Sequence, residues 1–176
     1  IFYANESNLL SDLIIQIVAT IIGGLVLALL FFLLKEKIFK ITDLSGSWEL
    51  ITLTQQTVYN PYREIQLVYI IFLMQEGTKV FGSGEKIKDI SKDGTVREYV
   101  GIHRSRIEIT GHIQHDYLSK SKLQIHITEF GEKRKSTSIH LFILEKSNKH
   151  KLNGKFSSTI SNSSGISTLT SGIESN

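Results

Sequence analysis

The sequence predicts an all-β fold, a small up-and-down barrel of about eight antiparallel strands, preceded by a transmembrane α-helix. Three observations carry that prediction. Between Leu13 and Leu34 the only polar side chains are Gln16 and Thr20. From Leu44 onward the apolar run gives way to period-two alternation, the pattern of strands with one buried face. Turn-forming segments ("QEGTK", "SKDGT", "HDYLSK", "EFGEKRK" and "KSNKHK") then punctuate the alternation at short intervals.

The run from Leu13 to Leu34 spans 22 residues. As a helix it measures about 33 Å, enough to cross a hydrocarbon core of about 30 Å. A cleaved signal peptide would carry basic residues ahead of the run and small residues after it. Here residues 1–12 contain Glu6 and Asp12 but no Lys or Arg, whereas Lys35, Lys37 and Lys40 follow the run. That bias places the C-terminal side in the cytoplasm. The opening "IFYANESN" reads as an apolar tail and a polar turn, the pattern expected if the visible span is the second arm of a helical hairpin. Gly23 and Gly24 would permit close approach of neighbouring helices. The expected division is a transmembrane region over residues 1–40 and a cytosolic, ligand-sensing barrel over residues 41–176.

The predicted strands are Gly46–Thr54, Glu64–Gln75, Lys79–Lys88, Thr95–Ile102, Ser105–Gln114, Lys122–Thr128, Ser136–Glu145 and Leu152–Ile160. Gly165–Ile173 is either a ninth strand or an irregular tail. Hairpin-linked strands with no helical period among them suit a barrel or a sandwich. Closure is favoured because it removes exposed edges. Gly82, Gly111 and Gly154 sit inside alternating stretches, where glycine marks a bend or a close backbone approach. Ile107, Ile109 and Ile113 are expected to face inward, as are Leu123, Ile125 and Ile127, and a third set of Ile139, Leu141 and Ile143. In "LVYIIFLM" both faces are apolar, Leu67, Tyr69, Ile71 and Leu73 against Val68, Ile70, Phe72 and Met74. Such a strand needs cover on its outer side as well, from another protomer or from the membrane-proximal helix.

No catalytic constellation is present, and an enzyme is the weakest class. His112 and His115, three apart at a strand end, point to opposite faces and make a poor metal site. "GSGEK" at Gly82–Lys86 lacks the full spacing of a phosphate-binding loop and the helix that follows one. The absence of cysteine excludes disulfides and thiolate metal sites. Residues 41–176 hold 17 Lys and Arg against 14 Asp and Glu, the same excess of +3 as the whole chain. That balance suits an anionic small ligand or lipid headgroups and is too weak for DNA or RNA. Aromatic faces (Trp48, Tyr69, Tyr99), cations near strand ends (Lys86, Arg104, Arg106, Arg134) and the hydroxyls of "FSSTIS" supply a binding toolkit, although Trp48 also suits plugging a barrel end.

A membrane segment leading into "DLSGSW", then "LVYIIFLMQEGTKVFGSGEKI", "RSRIEITGHI", "ITEFGEKRKS" and "LNGKFSST", resembles the bacterial CBASS anti-phage effectors described as SMODS-associated, transmembrane and β-strand-rich. The resemblance runs from Leu13 to about Gly165, and it is carried by the order of short glycine-led motifs. It implies an inner-membrane protein whose cytosolic barrel receives a cyclic dinucleotide made by a cognate nucleotidyltransferase. Binding then promotes homo-oligomerisation, bilayer disruption and death of the infected cell, without a cofactor, a metal or a catalytic residue. On this reading Tyr69 stacks on the ligand, Arg104, Arg106 and Arg134 hold its phosphates, and Tyr99 and Ser158 add contacts. Arg106 falls on the outward face of its strand, so it would serve only between protomers or over the rim. Family members have two spans where one is visible here. A constitutive membrane-anchored scaffold and a lipocalin-like carrier, suggested by the Gly-x-Trp opening, are the alternatives.

Overall fold

A computed structural model describes residues 3–34, 43–116, 120–131, 134–145 and 150–172. The chain divides into two compact units, Ile1–Ile41 and Thr42–Asn176.

The first unit contains one helix, α1 (Tyr3–Leu33). Its Ser11–Leu33 stretch has a mean hydropathy of 2.7 and is long and apolar enough to cross a membrane. Ile14, Ile15, Leu27 and Leu30, which point in four different directions round the helix, are all more than half exposed, so the helix is apolar on every side. Gly23 and Gly24 lie within it, with open space where a Cβ would stand. The Thr20 hydroxyl donates to the Gln16 carbonyl at 2.8 Å, which removes a bare donor from an apolar surface. The expected polar turn is not formed, because Ala4–Asn8 are helical and continuous with the rest of α1. Leu34 follows directly, and the basic joint with Lys35, Lys37 and Lys40 lies outside the described residues.

The second unit is a closed barrel. Its strands are β1 (Gly46–Gln56), β2 (Gln66–Glu76), β3 (Lys79–Ile90), β4 (Val96–Glu98), β5 (Arg106–Gln114), β6 (Lys122–Phe130), β7 (Lys135–Ile143), β8 (Lys151–Ser158) and β9 (Ser163–Ser171). The ring runs β2-β1-β9-β8-β7-β6-β5-β3 and closes by pairing β3 with β2. Every pairing is antiparallel, so the eight ring strands form an up-and-down barrel with no open edge.

The membership of that ring differs from expectation at two places. Within the run predicted as the strand Thr95–Ile102, only Val96–Glu98 is extended, and it pairs with the far end of β3 as a hairpin outside the ring. A 3-10 turn over Gly101–His103 follows it. The ring position belongs instead to β9, whose pairing with β1 and β8 closes the gap.

Alternation sorts the core as expected on β5 and β6: Ile107, Ile109, Ile113, Leu123, Ile125 and Ile127 are buried. It inverts on β7. Ile139, Leu141 and Ile143 are 40%, 43% and 46% exposed, while His140 and Phe142 are buried. The inner face of β7 lines a polar half of the barrel, so hydrophobicity alone selects the wrong side. On β2, Ile70, Phe72 and Met74 are exposed, whereas Val68 and Tyr69 are both buried, and between those two the register against β3 shifts, leaving Ile87 as the extra residue. Neighbouring strands come close at Gly82 and Gly154. A Cβ there would press on the Phe72 and Leu141 carbonyl oxygens respectively, so no larger residue fits unless a strand shifts.

Trp48 plugs one end of the barrel. Its Nε1 donates to the Leu44 carbonyl at 2.8 Å, and the Leu44 amide donates to Gln75 Oε1 at 2.9 Å.

Candidate functional site at the barrel mouth

Away from the Trp48 end, the inward series of each strand turns polar. Leu50 gives way to Thr52 and Thr54 on β1, Ile127 to Glu129 on β6, Phe142 to His140, Ser138 and Ser136 on β7, and Leu169 to Ser167 and Ser163 on β9. At this end a cavity of about 360 Å³ opens, lined by Lys86, Asp89, Arg97, Tyr99, Glu129 and Arg134 among others. That volume falls within the range of small-molecule sites. A smaller cavity of about 40 Å³ has Thr52, Tyr69 and His140 in its wall and shares Glu129, Phe156 and Ser158 with the larger one.

A charge network organises the mouth. Lys86 Nζ lies 3.4 Å from Glu129 Oε1 and 3.7 Å from Asp89 Oδ1. Burial alone would push the ammonium down, but the Glu129 and Asp89 carboxylates and Tyr99 outweigh it and hold Lys86 raised. The Tyr69 hydroxyl donates to Glu129 Oε2 at 3.2 Å, and the Tyr99 hydroxyl donates to Asp89 Oδ2 at 2.5 Å. Burial and the Glu129 charge push the Tyr69 phenol well above its ordinary value. Tyr99 is raised by burial and by its bond to Asp89, against the opposing pull of Lys86. Lys86 and Arg97 also sit 4.7 and 5.3 Å from the centre of the Tyr99 ring. The mouth therefore holds three cations and two carboxylates. Lys86 is spoken for, whereas Arg97 and Arg134 carry no ion pair among the described residues.

Apart from Glu129, the wall of the inner cavity holds no charged side chain. His140 is held neutral, its pKa lowered to about 3 by burial. Its Nε2 stands 2.9 Å from Ser138 Oγ, while Nδ1 and the hydroxyl of Thr52 have no hydrogen-bond partner among the described residues. Among the described residues no cluster of His, Asp and Glu could hold a metal ion.

Of the residues singled out in the sequence, Tyr99, Arg134 and Ser158 line the mouth. Tyr69 is buried at its floor, in the wall of the inner cavity, with its hydroxyl on Glu129. Arg104 lines neither cavity. Its Nη1 donates to Glu85 at 3.1 Å and its Nε to the Tyr99 carbonyl at 3.0 Å, so it braces the segment that carries Tyr99. Arg106 is exposed on the outer face, in a shallow depression beside Glu85, Glu108 and Phe130. Sequence reasoning assigned no role to Asp89, Arg97 and Glu129. Glu129 was within reach, because it continues the inward series Leu123, Ile125, Ile127. Arg97 was not, since it reaches the mouth only through the β3–β4 hairpin.

No known protein family matches the chain, and no curated protein matches it. Among solved structures, a redesigned β-barrel, mFAP1, bound to DFHBI, is similar, with a TM-score of 0.49 and 8% identity over 72% of this chain and 94% of that one.

Proposed function

We propose that the chain is a membrane-anchored effector of bacterial anti-phage immunity of the CBASS type, whose barrel binds a cyclic dinucleotide. Its helix spans the inner membrane and the barrel faces the cytoplasm, an orientation supported by the basic residues after the span. The observation that carries the reading is the mouth cavity, where Arg97 and Arg134 stand beside Tyr99 and a row of hydroxyls and carry no ion pair among the described residues. Guanidinium groups suit phosphodiesters, and hydroxyls and Glu129 suit base edges and riboses. A carrier of apolar ligands would not line its entrance with five charged side chains. In the proposed mechanism the messenger favours an assembled state over a dispersed one, and the gathered helices perturb the bilayer.

Dye release from vesicles containing the full chain tests this. Leakage is expected on adding a cyclic dinucleotide and not on adding the linear dinucleotide. Leakage without any nucleotide would favour a constitutive membrane protein, and silence toward every cyclic dinucleotide would remove the effector reading.

A further inference from the structure

The outer surface of the barrel carries two apolar stripes. On β2, Ile70, Phe72 and Met74 are 50%, 53% and 45% exposed; on β7, Ile139, Leu141 and Ile143 are exposed nearly as much. Round the ring, β7 stands four strands from β2 in both directions, so the stripes lie on opposite sides. They also lie at one height. Through the hydrogen-bonded register, Ile71 leads by way of Gly84, Ile107 and Glu129 to Ser136. The other way, Leu67 leads through Thr52, Ser167 and Gly154 to Phe142, so Ile71, four residues on, arrives four residues past Phe142. The level midway between these two arrivals is Leu141.

The charges beside the stripes are of opposite sign. Ile70 is flanked across strands by Glu49 and by Glu85, the latter also paired with Arg104. Leu141 is flanked by Lys155 and Ile143 by Lys122. A twofold contact of either stripe with itself would set like charges together, which is unfavourable. Contact of one stripe with the other joins apolar to apolar and acid to base.

We propose that barrels associate side by side with further copies of this chain, the β2 stripe of one against the β7 stripe of the next. Such a heterologous contact does not close on itself when the two surfaces are opposite, so it builds open rows rather than a dimer. Strand tilt makes the facing stripes cross, centring the contact on Phe72 and Leu141. The apolar area is on the order of a few hundred Å² per face, below the roughly 800 Å² of a stable interface. The rows therefore form at the high density of a membrane and not in dilute solution. This deepens the self-association in the proposed function: the barrel surface alone gives short, transient rows that a cross-linker traps, and the messenger would extend them until the gathered helices perturb the bilayer.

The absence of cysteine allows a direct test on the full chain in vesicles, without nucleotide. Ser83 lies beside Phe72 and Ser157 beside Ile139, both outward and exposed. With a short bis-maleimide, Ser83→Cys alone and Ser157→Cys alone are expected to stay monomeric. Their mixture should give a cross-linked dimer, the double variant a ladder, and Phe72→Asp added to the Ser83→Cys partner should abolish the dimer while circular dichroism stays that of the barrel. A dimer from either single variant matching the mixture, or no cross-link in any sample, overturns the proposal. Nucleotide binding could survive that failure, which separates it from failure of the effector reading.

Discussion

His140 shows at the residue scale how the barrel treats a polar side chain away from the mouth's charges. It packs 6.0 and 5.5 Å from the ring centres of Phe142 and Phe156, nearly parallel to both, and stays neutral. Its folded pKa, about 3, lies below the ordinary 6.5, so the unfolded chain takes up the proton first as pH falls. The stability this group contributes is full above pH 6.5 and is lost as pH drops toward 3, at about 1.4 kcal/mol per pH unit. Between pH 7 and pH 5 the wild type should lose about 2 kcal/mol more than His140→Gln in urea unfolding. An equal loss in the two proteins would mean that the imidazole is not held neutral by burial. Lys86 is treated in the opposite way: it stays charged because two carboxylates stand beside it.

At the scale of elements, the close strand contacts limit what each strand can carry. Gly154→Val should cost about 1–3 kcal/mol by thermal unfolding, because β8 must shift off the Leu141 carbonyl. Asn153→Val, exposed on the same strand, should change stability by no more than about 0.5 kcal/mol. A harmless Gly154→Val would show that the strands do not meet there as described. The strands themselves were largely legible, since β5 and β6 keep strict alternation with an apolar inner face. β7 was misread because its apolar residues face out and its inner side is Ser, Ser and His. β4 was misread because its β-like run serves a hairpin rather than the ring. Of the site, Tyr99, Arg134 and Ser158 were legible as cationic, aromatic and hydroxyl groups near strand ends. Asp89 and Arg97 come together across the β3–β4 pair, a tertiary fact that no local pattern encodes.

The whole molecule joins an apolar helix to a barrel whose interior is apolar at the Trp48 end and polar at the other. In the proposed function the polar end receives the ligand, and in the proposed rows the outer stripes of neighbouring barrels meet. The central claim is that an anionic cyclic dinucleotide enters at the mouth and is held there by Arg97 and Arg134. Titration calorimetry of the full chain in detergent, against a panel of cyclic dinucleotides, tests it most directly. The account predicts one-site binding of at least one member. Arg134→Ala and Arg97→Ala, both exposed in the free barrel, should each weaken it by about 1 kcal/mol, roughly fivefold. Arg106→Ala, on the outer face, should leave it unchanged. Binding of none of them, or an equal loss from Arg106→Ala, would contradict the account.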